Sequence, residues 1–298
     1  LAAVTLWRAA RQEARAEAAF PPSGQFLTID GTRVHYLEKG QGPALVLLHG
    51  ASGNLRDMSF SLIDRLAQRY RVIAFDRPGL GYTDVIADMS LSGQASLLSK
   101  AARQLGADTP LLVGQSYGGS VAKAWALDHP AAALVTLGSP SLPWSSDLPT
   151  LYKVNTHPIL APLAIPALAA WVPESYVQNA IAEVFEPQGE PAGYAAHIGA
   201  PLTLRRVSLR ANARQRADLL ADITALEPRW DELTLPIEMI HGAADTTVGL
   251  MIHSDPLSKR LPNTNLTALP GIGHMPHHVA QDAVVDAIDR AAQRAGLR

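Results

Sequence analysis

A serine set between glycines, Gly114-Gln115-Ser116-Tyr117-Gly118, separates the apolar run Leu111-Leu112-Val113 from a helix-forming segment between Ser120 and Leu127. A strand that turns into a helix within so few residues leaves no room for side chains two positions either side of the apex, and small residues there let the two elements approach. The apical serine is held in a strained backbone conformation that lifts its hydroxyl above the sheet, within reach of a base. Gly119 carries the small-residue stretch into the helix. This turn demands a buried strand before it, a helix after it and a sheet around both.

The rest of the chain supplies that setting. Phe26-Leu27-Thr28-Ile29 and Arg33-Val34-His35-Tyr36-Leu37 flank Asp30-Gly31, a strong hairpin signal. Residues 44–48 are a continuous apolar run, as a strand buried on both faces requires, and Arg71 to Phe75 reads as the next buried strand. Asn54 is placed to cap a helix reaching about Arg69, and a second helix is expected over Leu91 to Leu105. After the serine turn the helix stops at His129-Pro130, and Ala133 to Leu137 forms a further strand. Prolines then recur from Pro143 to Pro201, and residues 140–232 read as short helices, including Glu174 to Phe185 and Thr203 to Leu226. Strands return at residues 237–240 and 266–269, followed by a last helix from about Pro276 to the carboxyl end. The expected fold is α/β: a mostly parallel central sheet with helices on both faces, built from residues 23–139 and 233–298, with 140–232 inserted as a helical layer.

Composition narrows the function. The 298 residues, 47% of them hydrophobic, suffice for one large domain carrying an insertion. Basic residues number 25 and acidic ones 27, so no basic excess exists to attract nucleic acid. Cysteine is absent, which excludes disulfides, thiolate catalysis and cysteine-held metals and leaves the redox compartment open. Residues 1–22 begin with the apolar Leu1-Ala2-Ala3-Val4-Thr5-Leu6-Trp7, followed by Arg8, Arg11 and Arg15. Seven residues fall short of the ~20 that cross a bilayer. The segment reads either as an amphipathic surface helix ended by Pro21-Pro22 or as the remnant of an anchor, which would place the protein at a membrane rather than in the cytoplasm.

In open α/β sheets ligands bind at the carboxyl ends of the strands, and the candidate reactive residues all fall there. Ser116 needs a partner to take its proton, and a histidine is substantially neutral at pH 7. His274, in Gly271-Ile272-Gly273-His274-Met275-Pro276, follows the last strand and is the expected base. His277 and His278 are expected at the surface or behind His274, and their spacing lacks the pattern of a metal site. Asp245, reached through His241-Gly242-Ala243-Ala244, is the expected partner that orients the imidazole. A tetrahedral intermediate needs oxyanion donors, for which the Tyr117 and Ala51 amides are chosen, with Ser52 as a further contributor. His49 is expected to hold its loop rather than act as a second base.

Taken together, His49-Gly50, Asp76-Arg77-Pro78-Gly79-Leu80-Gly81, Gly114-Gln115-Ser116-Tyr117-Gly118-Gly119, Gly242-Ala243-Ala244-Asp245 and Gly273-His274 resemble an α/β-hydrolase of the epoxide hydrolase, dehalogenase and esterase-like group. The resemblance runs from about Phe26 to the carboxyl end and implies that residues 140–232 form a cap over the active site. It also implies that Asp76 to Gly81 is a structural turn. Relatives that open epoxides or displace halides carry aspartate where this chain has Ser116, so those activities are disfavoured. The resemblance therefore implies a serine hydrolase for a small or medium carboxylic ester, thioester or lactone, needing no cofactor or metal. Hydrolysis of a carbon–carbon bond in a vinylogous diketone, or perhydrolysis, would use the same residues. A ligand-binding or signalling protein on this scaffold is the reading of a different class. Trp144, Tyr152, Trp171 and Tyr176 are expected to pack the cap or line an aromatic pocket.

Overall fold

The computed structural model describes residues 1–298. The chain opens with helix α1 (Ala2–Ala19), followed by strands β1 (Gln25–Ile29) and β2 (Thr32–Lys39). These pair antiparallel, Ile29 opposite Thr32, with Asp30 and Gly31 both at positive φ, as a tight two-residue turn demands. Strand β3 (Ala44–Leu48), helices α2 (Leu55–Ser61) and α3 (Ile63–Leu66), strand β4 (Arg71–Phe75) and helix α4 (Leu91–Gln104) come next. Strand β5 (Leu111–Gln115) leads into helix α5 (Tyr117–Asp128), then strand β6 (Ala133–Leu137). Six helices follow before the sheet resumes: α6 (Thr150–Thr156), α7 (Ala161–Trp171), α8 (Glu174–Phe185), α9 (Tyr194–Ile198), α10 (Ala200–Thr203) and α11 (Arg206–Leu226). Strand β7 (Ile237–Gly242), helix α12 (Ser254–Arg260), strand β8 (Thr264–Leu269) and helices α13 (Pro276–Val279) and α14 (Gln281–Arg294) complete the fold.

The eight strands form one sheet in the order β1-β2-β4-β3-β5-β6-β7-β8, parallel from β4 to β8 and antiparallel at the β1–β2–β4 edge. Its interior strands are apolar along their length because each face meets its own core. In β3, Val46 and Leu48 point into a cluster with α4 and α5, while Leu45 and Leu47 point into another with α2, α3 and α14. The order places β5 centrally, with the ends of β3, β6 and β7 around it.

Two helices differ from expectation. The helix capped by Asn54, whose side chain accepts from the Arg56 N–H, breaks at Leu62 into α2 and α3. The last helix breaks at Ala280, where φ −138° and ψ 46° interrupt the spiral between α13 and α14. In both places tertiary anchoring of the first short piece overrides helix continuity. Helix α1 is the amphipathic surface helix and lies on the insertion. Ala9 packs with Ala169 and Ala170, Glu13 pairs with Arg206, and Glu17 pairs with Arg205. No helix is long and apolar enough to cross a membrane.

Candidate functional site

Ser116 sits between β5 and α5 with φ 51° and ψ −122°, a strained conformation for a residue with a Cβ. Close packing explains the flanking glycines. A Cβ on Gly114 would fall 2.4 Å from the Gly118 carbonyl oxygen, and one on Gly118 would fall 2.3 Å from that of Leu48. The Ser116 N–H donates to the Leu137 carbonyl at 2.8 Å, tying the apex to the end of β6.

The next residue, Gly138, touches the other two side chains singled out by the sequence. A Cβ there would lie 3.1 Å from Asp245 Oδ2 and 3.3 Å from His274 Nδ1. Asp245 Oδ2 and His274 Nδ1 are themselves 2.7 Å apart. Asp245 Oδ1 accepts from the Thr247 and Val248 N–H groups, both at 2.8 Å. Burial alone would raise the Asp245 carboxyl, but hydrogen bonds from His241 and His274 outweigh it and hold the group well below the usual carboxylate range. An ionised Asp245 fixes the proton of His274 on Nδ1 and turns the lone pair of Nε2 inward. That Nε2 meets the Gln115 side-chain amide at 3.3 Å and makes no hydrogen bond to Ser116 in this conformation.

The segments that carry the two expected oxyanion donors pack closely, since a Cβ on Gly118 would fall 2.5 Å from the His49 carbonyl oxygen. Tyr117 is the first residue of α5, so its N–H lacks an intrahelical acceptor. The Ala51 N–H donates to no protein acceptor. Ser52 differs from expectation: its N–H is already given to Asn212 Oδ1 at 2.8 Å. His49 holds the loop, as expected, with Nδ1 against the Gly50 carbonyl at 2.9 Å and Nε2 accepting from the Arg77 N–H at 3.0 Å. Burial, reinforced by Arg77, pushes His49 down to about 4, so it stays neutral.

A model of the alpha/beta hydrolase family matches residues 45–287. The chain belongs to the alpha/beta hydrolase family. Among its relatives is the pimeloyl-[acyl-carrier protein] methyl ester esterase of Vibrio vulnificus, 27% identical over 82% of this chain and 92% of that protein. An alpha/beta hydrolase fold protein from Burkholderia ambifaria superposes with a TM-score of 0.72, 24% identity, and coverage of 89% of this chain and 96% of that one. The enol-lactonase from Burkholderia xenovorans superposes with a TM-score of 0.73 at 15% identity, covering 90% of this chain and 100% of that one.

Several residues of this hydrolase have roles that the sequence did not disclose. Arg77 is fully buried and holds the loop after β3 through Nε to the His49 carbonyl and Nη2 to the Gly50 carbonyl, both at 2.9 Å. Its guanidinium lies 4.3 Å from the Tyr117 ring, so one cation braces the elements that carry both candidate donors. The insertion grips the same rim. Thr203 Oγ1 donates to the Ser52 carbonyl at 2.7 Å, and the Gly273 N–H donates to Gln188 Oε1 at 2.9 Å.

His277 and His278 are not surface residues. Both are buried behind His274, with Nε2 atoms 3.1 and 2.9 Å from Asp57 Oδ2 and Oδ1, and the Tyr194 hydroxyl donates to Asp57 Oδ1 at 2.7 Å. Asp57, His277 and His278 are the one group spaced to hold a metal, their ligand atoms lying within 4.8 Å of one another. Their hydrogen bonds already engage both carboxylate oxygens. Burial would raise Asp57, but the two imidazoles hold it well below the carboxylate range. Burial, then His278, pushes His277 down to about 4. The cluster thus joins α2, α9 and α13 around one buried anion. Tyr194→Phe, which removes one charge-assisted bond without changing ring volume, is expected to lower unfolding stability by about 1–3 kcal/mol in urea titration.

The aromatic residues of the insertion differ in exposure, and Tyr152 is half-buried with the Arg216 guanidinium 5.5 Å from its ring centroid. Trp171 and Tyr176 are exposed, and Trp144 is half-buried against His253, with ring centroids 5.6 Å apart.

Proposed function

We propose that this alpha/beta hydrolase is a cofactor-independent serine hydrolase of small or medium carboxylic esters, thioesters or lactones. The observation that carries the reading is the 2.7 Å contact between Asp245 and His274, set against Gly138 and Gln115, the residues that adjoin the strained turn at Ser116. Ser116 Oγ attacks the substrate carbonyl as His274 Nε2 takes its proton, once the Gln115 amide has released that nitrogen. The Ala51 and Tyr117 N–H groups receive the negative oxygen of the tetrahedral intermediate. Asp245 stays ionised and stabilises the imidazolium. His274 then gives its proton to the departing alkoxide, thiolate or lactone oxygen. In the second half, His274 activates water to release the acid and restore Ser116.

Residues 140–232 act as the cap that shapes the substrate, supported by their hydrogen bonds to the Ser52 and Gly273 loops. Methyl esters accord with the relative from Vibrio vulnificus, and lactones with the neighbour from Burkholderia xenovorans. The reading is tested with a panel of esters, thioesters and lactones of graded acyl length, followed by mass spectrometry of the fluorophosphonate-labelled protein. The expected results are turnover of part of the panel and a single adduct on the peptide containing Ser116. An adduct elsewhere would overturn the assignment of the nucleophile.

A further inference from the structure

Helix α1 presents an outward face whose composition is unusual for a surface helix. Thr5, Ala9, Gln12 and Ala16 turn towards the insertion, and Val4, Leu6, Trp7, Arg11 and Arg15 are exposed. Trp7 is 61% exposed. The helix has two acids, and both are paired with arginines of the insertion, Glu13 with Arg206 and the half-exposed Glu17 with Arg205. Arg11 and Arg15 form no ion pair, and Arg8 gives its Nε to the Ala170 carbonyl. Beside them Trp171 of α7 stands 49% exposed, held under Arg8 at 4.3 Å with its indole N–H donated to Thr5 Oγ1. Further along α7, Leu163 is 71% exposed.

Large apolar side chains, exposed indoles and cations without carboxylate partners on one face match the chemistry of a lipid headgroup region. Aliphatic and indole groups enter the acyl boundary there, while arginines reach the phosphates. A second copy of this chain fits less well, because a two-fold contact sets the same face against itself and brings arginine against arginine. We infer that the outward face of α1, with Trp171 of α7, docks on the surface of a bilayer containing anionic phospholipid. The helix lies in the interfacial plane without crossing it, and the insertion that α1 covers is thereby held at the membrane. This inference does not depend on the chemistry at Ser116, and its test reads binding rather than turnover.

The test is co-sedimentation of the full chain with vesicles of phosphatidylcholine alone and of phosphatidylcholine mixed with phosphatidylglycerol. The chain is expected to partition onto the mixed vesicles and to be released as salt is raised. Arg11→Glu combined with Arg15→Glu should weaken partitioning by roughly thirtyfold or more. Leu6→Ala combined with Trp7→Ala should weaken it roughly tenfold. Trp7→Phe should still bind but lose part of the fluorescence quenching by brominated lipid seen in the parent. Unchanged circular dichroism melting of each variant separates lost docking from lost folding.

Failure to sediment with either vesicle would overturn the inference, as would equal binding to both or insensitivity to the arginine reversals. Concentration-dependent self-association in sedimentation velocity that Trp7→Ala abolishes, without vesicle binding, would give the face to a second copy instead.

Discussion

Ser116→Ala is expected to lower kcat/KM towards any ester the protein hydrolyses by about 10⁴-fold or more, and to abolish covalent labelling by a fluorophosphonate. The loss is large because His274 and Asp245 have no independent route to an acyl-enzyme. In the proposed mechanism they act only on the proton of the serine. What remains in the variant is the contribution of the oxyanion donors and of substrate positioning, which do not need the hydroxyl. The substitution removes one oxygen from a position 8% exposed and leaves the positive φ unchanged, so the variant should melt close to the parent. Full labelling of a folded Ser116→Ala protein would remove Ser116 from its role. The comparison with Asp245→Asn is informative. An amide in place of the carboxylate accepts the same two backbone N–H groups but lets the imidazole take the wrong tautomer, so a loss of about 10⁴-fold is expected there too.

Lys123→Met is expected to stabilise the protein by about 4 kcal/mol near pH 6, an effect that shrinks as the pH rises. Lys123 lies on α5, fully buried, and its Nζ has one protein partner, Ser139 Oγ at 2.8 Å. Burial without a compensating anion pushes its ammonium down to about 7 from an ordinary 10.5. Between those values the unfolded chain binds the proton and the folded chain does not, so stability climbs with pH. Below about 7 both states hold the proton, and the folded state carries the whole penalty, of about 5 kcal/mol. Methionine fills a similar volume without charge, at the cost of about 1 kcal/mol for the lost bond to Ser139. Urea unfolding of both proteins across this range should show a stability difference that is flat at low pH and closes towards pH 10.5. A difference independent of pH would mean that Lys123 keeps its proton in the folded chain.

The central sheet was legible because burial on both faces leaves a mark that needs no partner to be read. Val46 and Leu48 serve one core and Leu45 and Leu47 the other, so the run has no polar position. The hairpin at Asp30-Gly31 and the turn at Ser116 were legible for a related reason: each is a local backbone problem with few chemical solutions. The family resemblance rested on the same short segments, and the match over residues 45–287 agrees with it. Helix continuity was harder. Nothing in the apolar spacing around Leu62 or Ala280 announces a break, because the cause is the packing of α2 and α13 against elements far away in the chain. Whether His277 and His278 lie at the surface or behind His274 stayed open because an imidazole reads as polar until its acceptor is known. Their acceptor, Asp57, lies about 220 residues earlier. The particular role of Arg77 and the engagement of the Ser52 N–H went unread for the same reason, since the carbonyls that fix Arg77 and the Asn212 amide oxygen that accepts from Ser52 come together only in the folded molecule.

By itself, the sequence determined the sheet, the position of the insertion and the identity of the residues at the strand ends. Hydrophobic period and tight-turn chemistry act over a few neighbouring positions and are written there. Only the tertiary structure decided which buried polar groups satisfy one another: Asp245 with His274, Asp57 with two imidazoles and a phenol, and Lys123 with a lone hydroxyl. It alone also decided that α1 pairs its acids with arginines of the insertion and leaves Arg11, Arg15 and Trp7 exposed. Hydrogen bonds and charge pairs join groups brought together by the packing of distant segments, and a linear pattern holds no record of those distances.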